Sequence, residues 1–184
     1  MPEKQDVVEL LQQQHTRIRG LFEEVADAKG DERTRSFREL IHLLAVHETA
    51  EEEVVHPFAS KHIDGGEQVV KDRIEEEEGA KRALGRLEDM DPDSPEFLDL
   101  FAALRQDVTA HADAEERYEF AHLRAAADRD RLERLAAAVR AAEALAPTRP
   151  HPGTDTALKN LMAGPVAGVV DRTRDVVRKA MGNP

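Results

Sequence analysis

The sequence predicts an all-α protein, an up-down-up-down antiparallel four-helix bundle with extra C-terminal helices. Apolar residues recur every three or four positions in four successive segments, which is the spacing of one buried helix face. Short breaks rich in Gly, Pro and Asp separate these segments, and short connections favour antiparallel neighbours. The chain has 184 residues and is 40% hydrophobic, with six Phe and one Tyr, which suits one helical core.

The first helix is predicted to begin after Asp6, because Asp6 and Glu9 have the spacing of a capping box. Its apolar face also carries one histidine, His15. The helix should stop near Gly30, since glycine often follows a helix end. The predicted face comprises Val8, Leu11, His15, Ile18, Phe22 and Val25.

The second helix is predicted from about Glu32 to Ala59, and Pro57 should bend or end it. Its inner face combines apolar residues with one histidine and one glutamate. That face comprises Leu40, Leu43, Leu44, His47, Glu51, Val54 and Phe58.

The third helix should begin after Asp64-Gly65-Gly66 and run to about Met90, and the fourth should begin with Ser94 as N-cap and Pro95 in the first turn. The third face comprises Val70, Ile74, Glu77, Leu84 and Leu87. The fourth comprises Phe97, Leu100, Phe101, Leu104, Val108, His111, Glu115 and Tyr118.

These patterns divide the chain into four parts. Residues 1–127 form the bundle, and 128–146 form an additional helix packing on it. Residues 147–157 are predicted to be a Pro/Gly-rich linker, and 158–184 an amphipathic tail helix. We expect the tail to dock on the bundle; self-association as a homodimer and binding to an anionic membrane are the alternatives.

Charge and composition limit the function classes. A formal net charge of −12 argues against a nucleic-acid partner, which needs clustered Lys and Arg. The absence of cysteine excludes disulfides, thiolate nucleophiles and iron–sulfur clusters. The charged N-terminus shows no signal peptide, and no stretch has the ~20 apolar residues of a membrane span. The sequence therefore predicts a cytoplasmic protein.

Two segments repeat the pattern His-x-x-x-Glu, at His47–Glu51 and at His111–Glu115. Residues four apart lie one above the other on a helix, so each pair presents an imidazole and a carboxylate to one point. Carboxylates on a core face are costly unless they are paired or ligate a metal. Together with His15, the two pairs predict a metal site between the helices.

Two other interpretations compete with a metal site of this kind. A lone core histidine is more often structural than a ligand, but here three helices each aim one inward. Ferritin-like bundles use Glu-x-x-His, which occurs at Glu53–His56 and Glu119–His122. At about 100° per residue, His56 should face outward, so we predict His42, His56 and His62 to be surface residues. His122 is predicted to be at most an outer-shell group.

The ordered motifs resemble the hemerythrin HHE cation-binding family, in a bacterial, actinobacterial form. The resemblance is carried by His15, by the run from His47 to Pro57, by His111–Glu115, by the Asp91–Phe97 break and, more loosely, by the tail run Ala163–Gly168. It implies two non-haem irons with an oxo or hydroxo bridge, manganese or zinc being less favoured. The ligands it implies are His15, His47, Glu51, His111 and Glu115, with Glu77 standing where the family has a third-helix histidine.

The resemblance implies a protein that acts on a small diatomic or peroxide ligand. A carboxylate at Glu77 should stabilise the ferric state, which favours peroxide decomposition or redox and oxygen sensing over reversible oxygen carriage. Nitric oxide is a further ligand of this class. Whether the activity is enzymatic, such as a catalase-like turnover, stays open. The alternative is a non-catalytic, iron-responsive or structural partner-binding bundle with a degenerate metal site.

Overall fold

The structure is a computed structural model that describes residues 5–145. These residues form helices joined by short turns and contain no strand. The helices are α1 Val7–Asp27, α2 Gly30–Ala50, α3 His56–His62, α4 Gly66–Glu88, α5 Pro95–Ala114, α6 Phe120–Ala126 and α7 Arg129–Leu145. Two π-helical turns, π1 Glu51–Val55 and π2 Glu115–Glu119, join α2 to α3 and α5 to α6. The predicted linker and tail helix lie outside the described residues.

Four long helical rods form the bundle: α1, α2–π1–α3, α4 and α5–π2–α6. Two separate apolar clusters fill it, and each rod contributes to both. On α1, Leu11 belongs to the first cluster and Ile18 to the second. The next rod runs the opposite way, from Leu44 in the second cluster to Val54 in the first. The alternation continues through α4 and α5, so the predicted up-down-up-down bundle is confirmed.

Local signals set the helix ends. Asp6 accepts a hydrogen bond from the Glu9 backbone N–H, and the Glu9 carboxylate accepts one from the Asp6 N–H, so the predicted capping box is present. Ser94 caps α5 with Pro95 in the first turn, also as predicted. Gly66 lies so close to α3 that an added Cβ would stand 2.2 Å from the Ala59 carbonyl oxygen. Only glycine fits at that close approach.

The second rod extends slightly past its predicted end near Ala59, and Pro57 does not end it. It continues through π1 and beyond Pro57 to His62. Pro57 stands in the first turn of α3, where a missing backbone N–H is tolerated. In π1 the N–H of His56 bonds to the Glu51 carbonyl, five residues back instead of four. Each π-turn thus inserts one extra residue and rotates the helix after it by about 100°.

The additional helix α7 packs on the bundle beside α1 and α2. Its buried side chains, Leu132, Leu135, Ala136, Ala138 and Val139, complete the first apolar cluster. Within residues 5–145, no helix has the length and apolarity needed to cross a membrane. Because its buried side chains belong to the first apolar cluster, α7 is part of the packed core at that end of the bundle.

Candidate metal centre

A buried layer of histidines and glutamates lies between the two apolar clusters. We call it the polar layer; it comprises His15, His47, Glu51, Glu77, His111 and Glu115. All but His111 are less than 9% exposed, and His111 is partly buried. Each side chain occupies the level where its rod passes from one cluster to the other. On α1, for example, His15 stands one helical turn after Leu11 and one before Ile18.

Four of these residues form a first half-site: His15, His47, Glu51 and Glu115. Each offers one ligand atom, and these atoms all lie within 4.8 Å of one another. The Nε2 atoms of His15 and His47 are 3.1 Å apart. His15 Nε2 is 3.3 Å from a Glu115 carboxylate oxygen, and His47 Nε2 is 3.4 Å from Glu51 Oε1. One cation could therefore contact all four side chains.

A second half-site contains Glu51, Glu77 and His111, whose ligand atoms also lie within 4.8 Å of one another. Glu51 belongs to both half-sites. Glu115 also approaches the second, since its Oε1 is 3.6 Å from His111 Nε2. The six predicted residues are thus brought together as two adjoining groups bridged by a carboxylate.

The three histidines of the polar layer share one orientation. In each, Nδ1 contacts an outer polar group and Nε2 faces the glutamates. His15 Nδ1 is 2.8 Å from Glu116, and His111 Nδ1 is 2.8 Å from Glu76. Metal-binding histidines usually donate their other ring N–H in this way, which fixes the tautomer and ring orientation.

The third histidine is oriented by a longer chain. His47 Nδ1 lies 2.6 Å from the Gln14 Oε1, and the Gln14 amide donates in turn to Glu143 on α7. The additional helix thereby supports a residue of the first half-site. This connection was absent from the sequence prediction, because nothing in the spacing of α7 points to Gln14.

The ionised form of the buried carboxylates is unfavourable without a nearby positive charge, which a cation would supply. All six oxygens of Glu51, Glu77 and Glu115 lack a hydrogen bond to any described residue. Burial, followed by Glu115, raises the pKa of Glu51 well above its usual value. Burial together with Glu48 raises the pKa of Glu77 to about 10. For Glu115, burial acts in the same direction, but His15, His111 and His47 outweigh it and lower the pKa to about 2.

Burial shifts the pKa of His47 in the opposite direction. Burial and the neighbouring His15 lower the pKa of His47 to about 3, so its imidazole is neutral near pH 7. A neutral imidazole has a free lone pair on one ring nitrogen, which is the form that binds metals. The polar layer therefore supplies imidazole nitrogens and unsatisfied carboxylate oxygens to the same points.

The prediction for His56 is wrong: it is 3% exposed, not a surface residue. A regular helix would place it about 180° from His47, but the extra residue of π1 turns it inward. Its Nε2 lies 3.4 Å from Glu77 Oε1, and neither ring nitrogen has a hydrogen bond to a described residue. Burial lowers the pKa of His56. No local sequence signal identifies the π-turn that causes this.

The second π-turn has a parallel effect. Tyr118, predicted on the inner face, is 41% exposed, and Glu119 takes its place with no exposed surface. Glu119 accepts a hydrogen bond of 2.7 Å from Arg73 Nε. Burial and Glu115 raise the pKa of Glu119 to about 7 against the effect of Arg73. His122, predicted as an outer-shell group, lies against the exposed Tyr118 ring and donates from Nδ1 to the Tyr118 carbonyl.

Helix α4 shows one further departure. Ile74, predicted on the core face, is 40% exposed, whereas Glu77 is 2% exposed. Glu77 is therefore the only one of the four consecutive glutamates Glu75–Glu78 that is buried. Glu77 thus lies inward as predicted, although Ile74, predicted on the same face, points to solvent.

A cavity of about 360 Å³ adjoins the polar layer. Its lining includes His15, His47, Glu77 and His111, together with the apolar side chains of Ile18, Phe22, Leu44, Ala80 and Val108. Exposed residues such as Asp107 and Ala110 also line it, so it reaches the surface. The volume is large enough for small molecules such as oxygen or peroxide, which take up little more room than one water.

Known proteins resemble this chain in sequence and in fold. The family model of the hemerythrin HHE cation binding domain matches residues 6–123. No curated protein matches the sequence. The crystal structure of a hemerythrin HHE cation binding domain-containing protein from Mycobacterium kansasii is similar in fold, with a TM-score of 0.67 and 22% identity. That similarity covers 92% of this chain and 99% of the other. Because the family model spans well over half of the sequence, the chain belongs to the hemerythrin HHE cation-binding domain family.

Proposed function

We propose that this protein binds two non-haem iron ions in the polar layer and uses them to decompose peroxide. The observation that carries the proposal is the convergence of Nε2 atoms and unsatisfied carboxylate oxygens at two adjoining points inside the bundle. Buried polar groups normally have hydrogen-bond partners, and buried charges are normally paired or coordinate metals.

The charge of the polar layer fits two divalent cations. Glu51, Glu77 and Glu115 together carry three negative charges when ionised, and an imidazole that binds a metal does so in its neutral form. Without cations, the pKa values of Glu51 and Glu77 are raised, which favours the neutral, protonated form of both carboxyls. Two divalent ions supply the compensating positive charge and would let all three carboxylates ionise.

Mixed imidazole and carboxylate donors favour iron among the redox-active metals. Glu51 would bridge the two ions, since it belongs to both half-sites. His15, His47 and Glu115 would hold the first ion, and His111 and Glu77 the second. Bound iron would supply one-electron oxidation and reduction steps and an open position for a small oxygen-containing ligand.

The chain's own residues position and isolate that chemistry. Glu116, Gln14 and Glu76 orient the three histidines through their Nδ1 atoms. Apolar side chains on the cavity wall, among them Phe22 and Leu44, restrict water near the ligand atoms. The cavity would admit peroxide from the surface and bring it to the His15, His47 and His111 side of the layer.

Glu77 supports peroxide decomposition over oxygen carriage. A carboxylate is harder and more negative than an imidazole, so it favours the ferric state. A centre that is easily oxidised holds oxygen reversibly for only a short time. Such a centre can still cycle with peroxide. One peroxide molecule is oxidised to oxygen and releases two electrons and two protons. A second peroxide molecule takes up these two electrons and two protons and becomes two waters.

The test is peroxide consumption by iron-loaded protein, expressed per iron. We expect consumption by the wild-type protein and by Glu75→Gln, and a slower rate in Glu77→His. Glu75 is a matched control, because it belongs to the same acidic run but is exposed and forms a long ion pair with Lys71, at 3.9 Å. Reversible oxygen binding without iron-dependent peroxide loss would instead identify an oxygen carrier.

A further inference from the structure

His56 is a buried histidine that the family motif does not include. It follows π1 directly, is 3% exposed, and has no hydrogen bond from either ring nitrogen to any described residue. A buried polar group left without a partner destabilises the folded state. The orientation of His56 depends on π1, and π-turns inside helices occur frequently at functional sites. A rare backbone feature therefore turns an otherwise costly side chain inward.

The contact that His56 makes is with the second half-site. Its Nε2 lies 3.4 Å from Glu77 Oε1, a distance typical of two ligands on one cation rather than of a short hydrogen bond. Neither oxygen of Glu77 has a hydrogen bond to a described residue. Two facing groups with unsatisfied donor atoms are thus held side by side in the interior.

The two half-sites differ in their nitrogen donors. The first has His15 and His47, whereas the second has His111 alone with Glu51 and Glu77. His56 contacts this half-site through Glu77 and lies outside the group of ligand atoms that are all within 4.8 Å of one another. A small movement of its side chain towards Glu51 and His111 would give the second half-site two imidazoles and two carboxylates, like the first. The third helix offers a carboxylate at Glu77, and the neighbouring rod supplies the nitrogen donor next to it.

We propose that His56 Nε2 is a ligand of the second metal, beside Glu77, Glu51 and His111. This proposal rests on the two-metal centre proposed above. The competing role is structural, in which His56 only hydrogen-bonds Glu77. The two roles predict different iron affinities for His56→Gln. Glutamine can hydrogen-bond a carboxyl, so it would preserve a structural role, but it is a poor ligand for iron.

The experiment titrates metal-free protein anaerobically with ferrous iron and compares wild type, His56→Leu, His56→Gln and His42→Leu. His42 is exposed on α2 and serves as the matched control. We expect the second equivalent of iron to bind at least about tenfold more weakly in both His56 variants, the scale known for groups that support metal ligands. The first equivalent should bind as in wild type, and His42→Leu should match wild type throughout.

Metal-free stability gives a readout independent of iron. His56→Leu removes two unsatisfied nitrogens, so the metal-free variant should be at least as stable as wild type in urea unfolding. Wild-type affinity for both equivalents in His56→Leu or in His56→Gln would overturn the proposal for His56 and leave the two-metal centre standing. Binding of fewer than two irons by the wild-type protein would overturn the two-metal centre itself, and His56 with it.

Discussion

Replacing Glu77 with glutamine should stabilise the metal-free protein and weaken metal binding. Burial and the carboxylates of Glu48 and Glu52 raise the pKa of Glu77 from the usual 4.5 to about 10. The folded metal-free protein therefore holds a proton that the unfolded chain releases. The stability that the protonated Glu77 carboxyl contributes to the folded state is therefore fully present below pH 4.5 and is lost as pH rises towards about 10.

The size of the effect is set by the pKa difference. For each pH unit above the pKa of the unfolded chain, the free energy of unfolding falls by about 1.4 kcal/mol, until the pKa of the folded protein is reached. At pH 7 the metal-free wild type should thus lose about 3 kcal/mol at Glu77 relative to low pH. Glutamine is neutral at every pH, so Glu77→Gln should regain most of that amount, a rise in melting temperature of about 6–12 °C.

The assay is urea unfolding in the presence of a chelator, followed by far-UV circular dichroism at pH 5, 7 and 8.5. The gain in Glu77→Gln should grow with pH, and Glu75→Gln should behave like wild type. Metal loading should reverse the order, because the wild type gains a ligand that the variant lacks. A metal-free Glu77→Gln protein less stable than wild type at pH 7 would refute the reasoning, since Glu77 would then be a stabilising structural carboxylate.

Three further predictions concern the polar layer and its supports. Glu77→His should slow the oxidation of the reduced protein by air, measured by stopped-flow absorbance; an unchanged rate would show that Glu77 does not set the redox preference. Gln14→Leu removes the group that orients His47, so metal affinity should fall about 10–100-fold in a competition titration, and wild-type affinity would count against that role. Ser94→Ala removes the N-cap of α5 and should cost about 1 kcal/mol in urea unfolding, with metal content unchanged. Loss of metal in that variant would mean that the cap also positions His111.

The sequence predicted the bundle well because its signals are local and repeated. The capping box at Asp6, the Ser94–Pro95 start and the apolar faces each depend on residues within one or two turns. The six residues of the polar layer could be found for the same reason. His15 and Glu77 lie within regular α-helices, and the other four residues lie before or at the start of a π-turn, where the regular helical period still holds.

Apart from Ile74 on the regular helix α4, the residues placed on the wrong face lie where that period fails. His56 and Tyr118 were placed on the wrong faces because π1 and π2 each add one residue after the His-x-x-x-Glu segment. Inside such a turn the usual hydrogen bond to the fourth residue back is replaced by one to the fifth, and no residue type marks the change. The buried Glu119 and its contact with Arg73 on α4 result from the same shift.

Long-range supports form the second class of misses. The chain from His47 through Gln14 to Glu143 joins residues 33 and 129 positions apart. Sequence spacing within one helix cannot reveal such a contact, which depends on where α7 packs. The outer partners of the metal-facing histidines therefore emerge only from the three-dimensional arrangement.

The most direct test of the two-metal centre is metal content per chain, measured by elemental analysis of untagged protein expressed with supplemented iron. We predict about two irons per chain in the wild type and in Glu75→Gln, and a marked loss in Glu51→Gln, whose carboxylate belongs to both half-sites. A folded, helical wild-type protein without bound metal would contradict the account and leave the polar layer as a structural feature of the bundle.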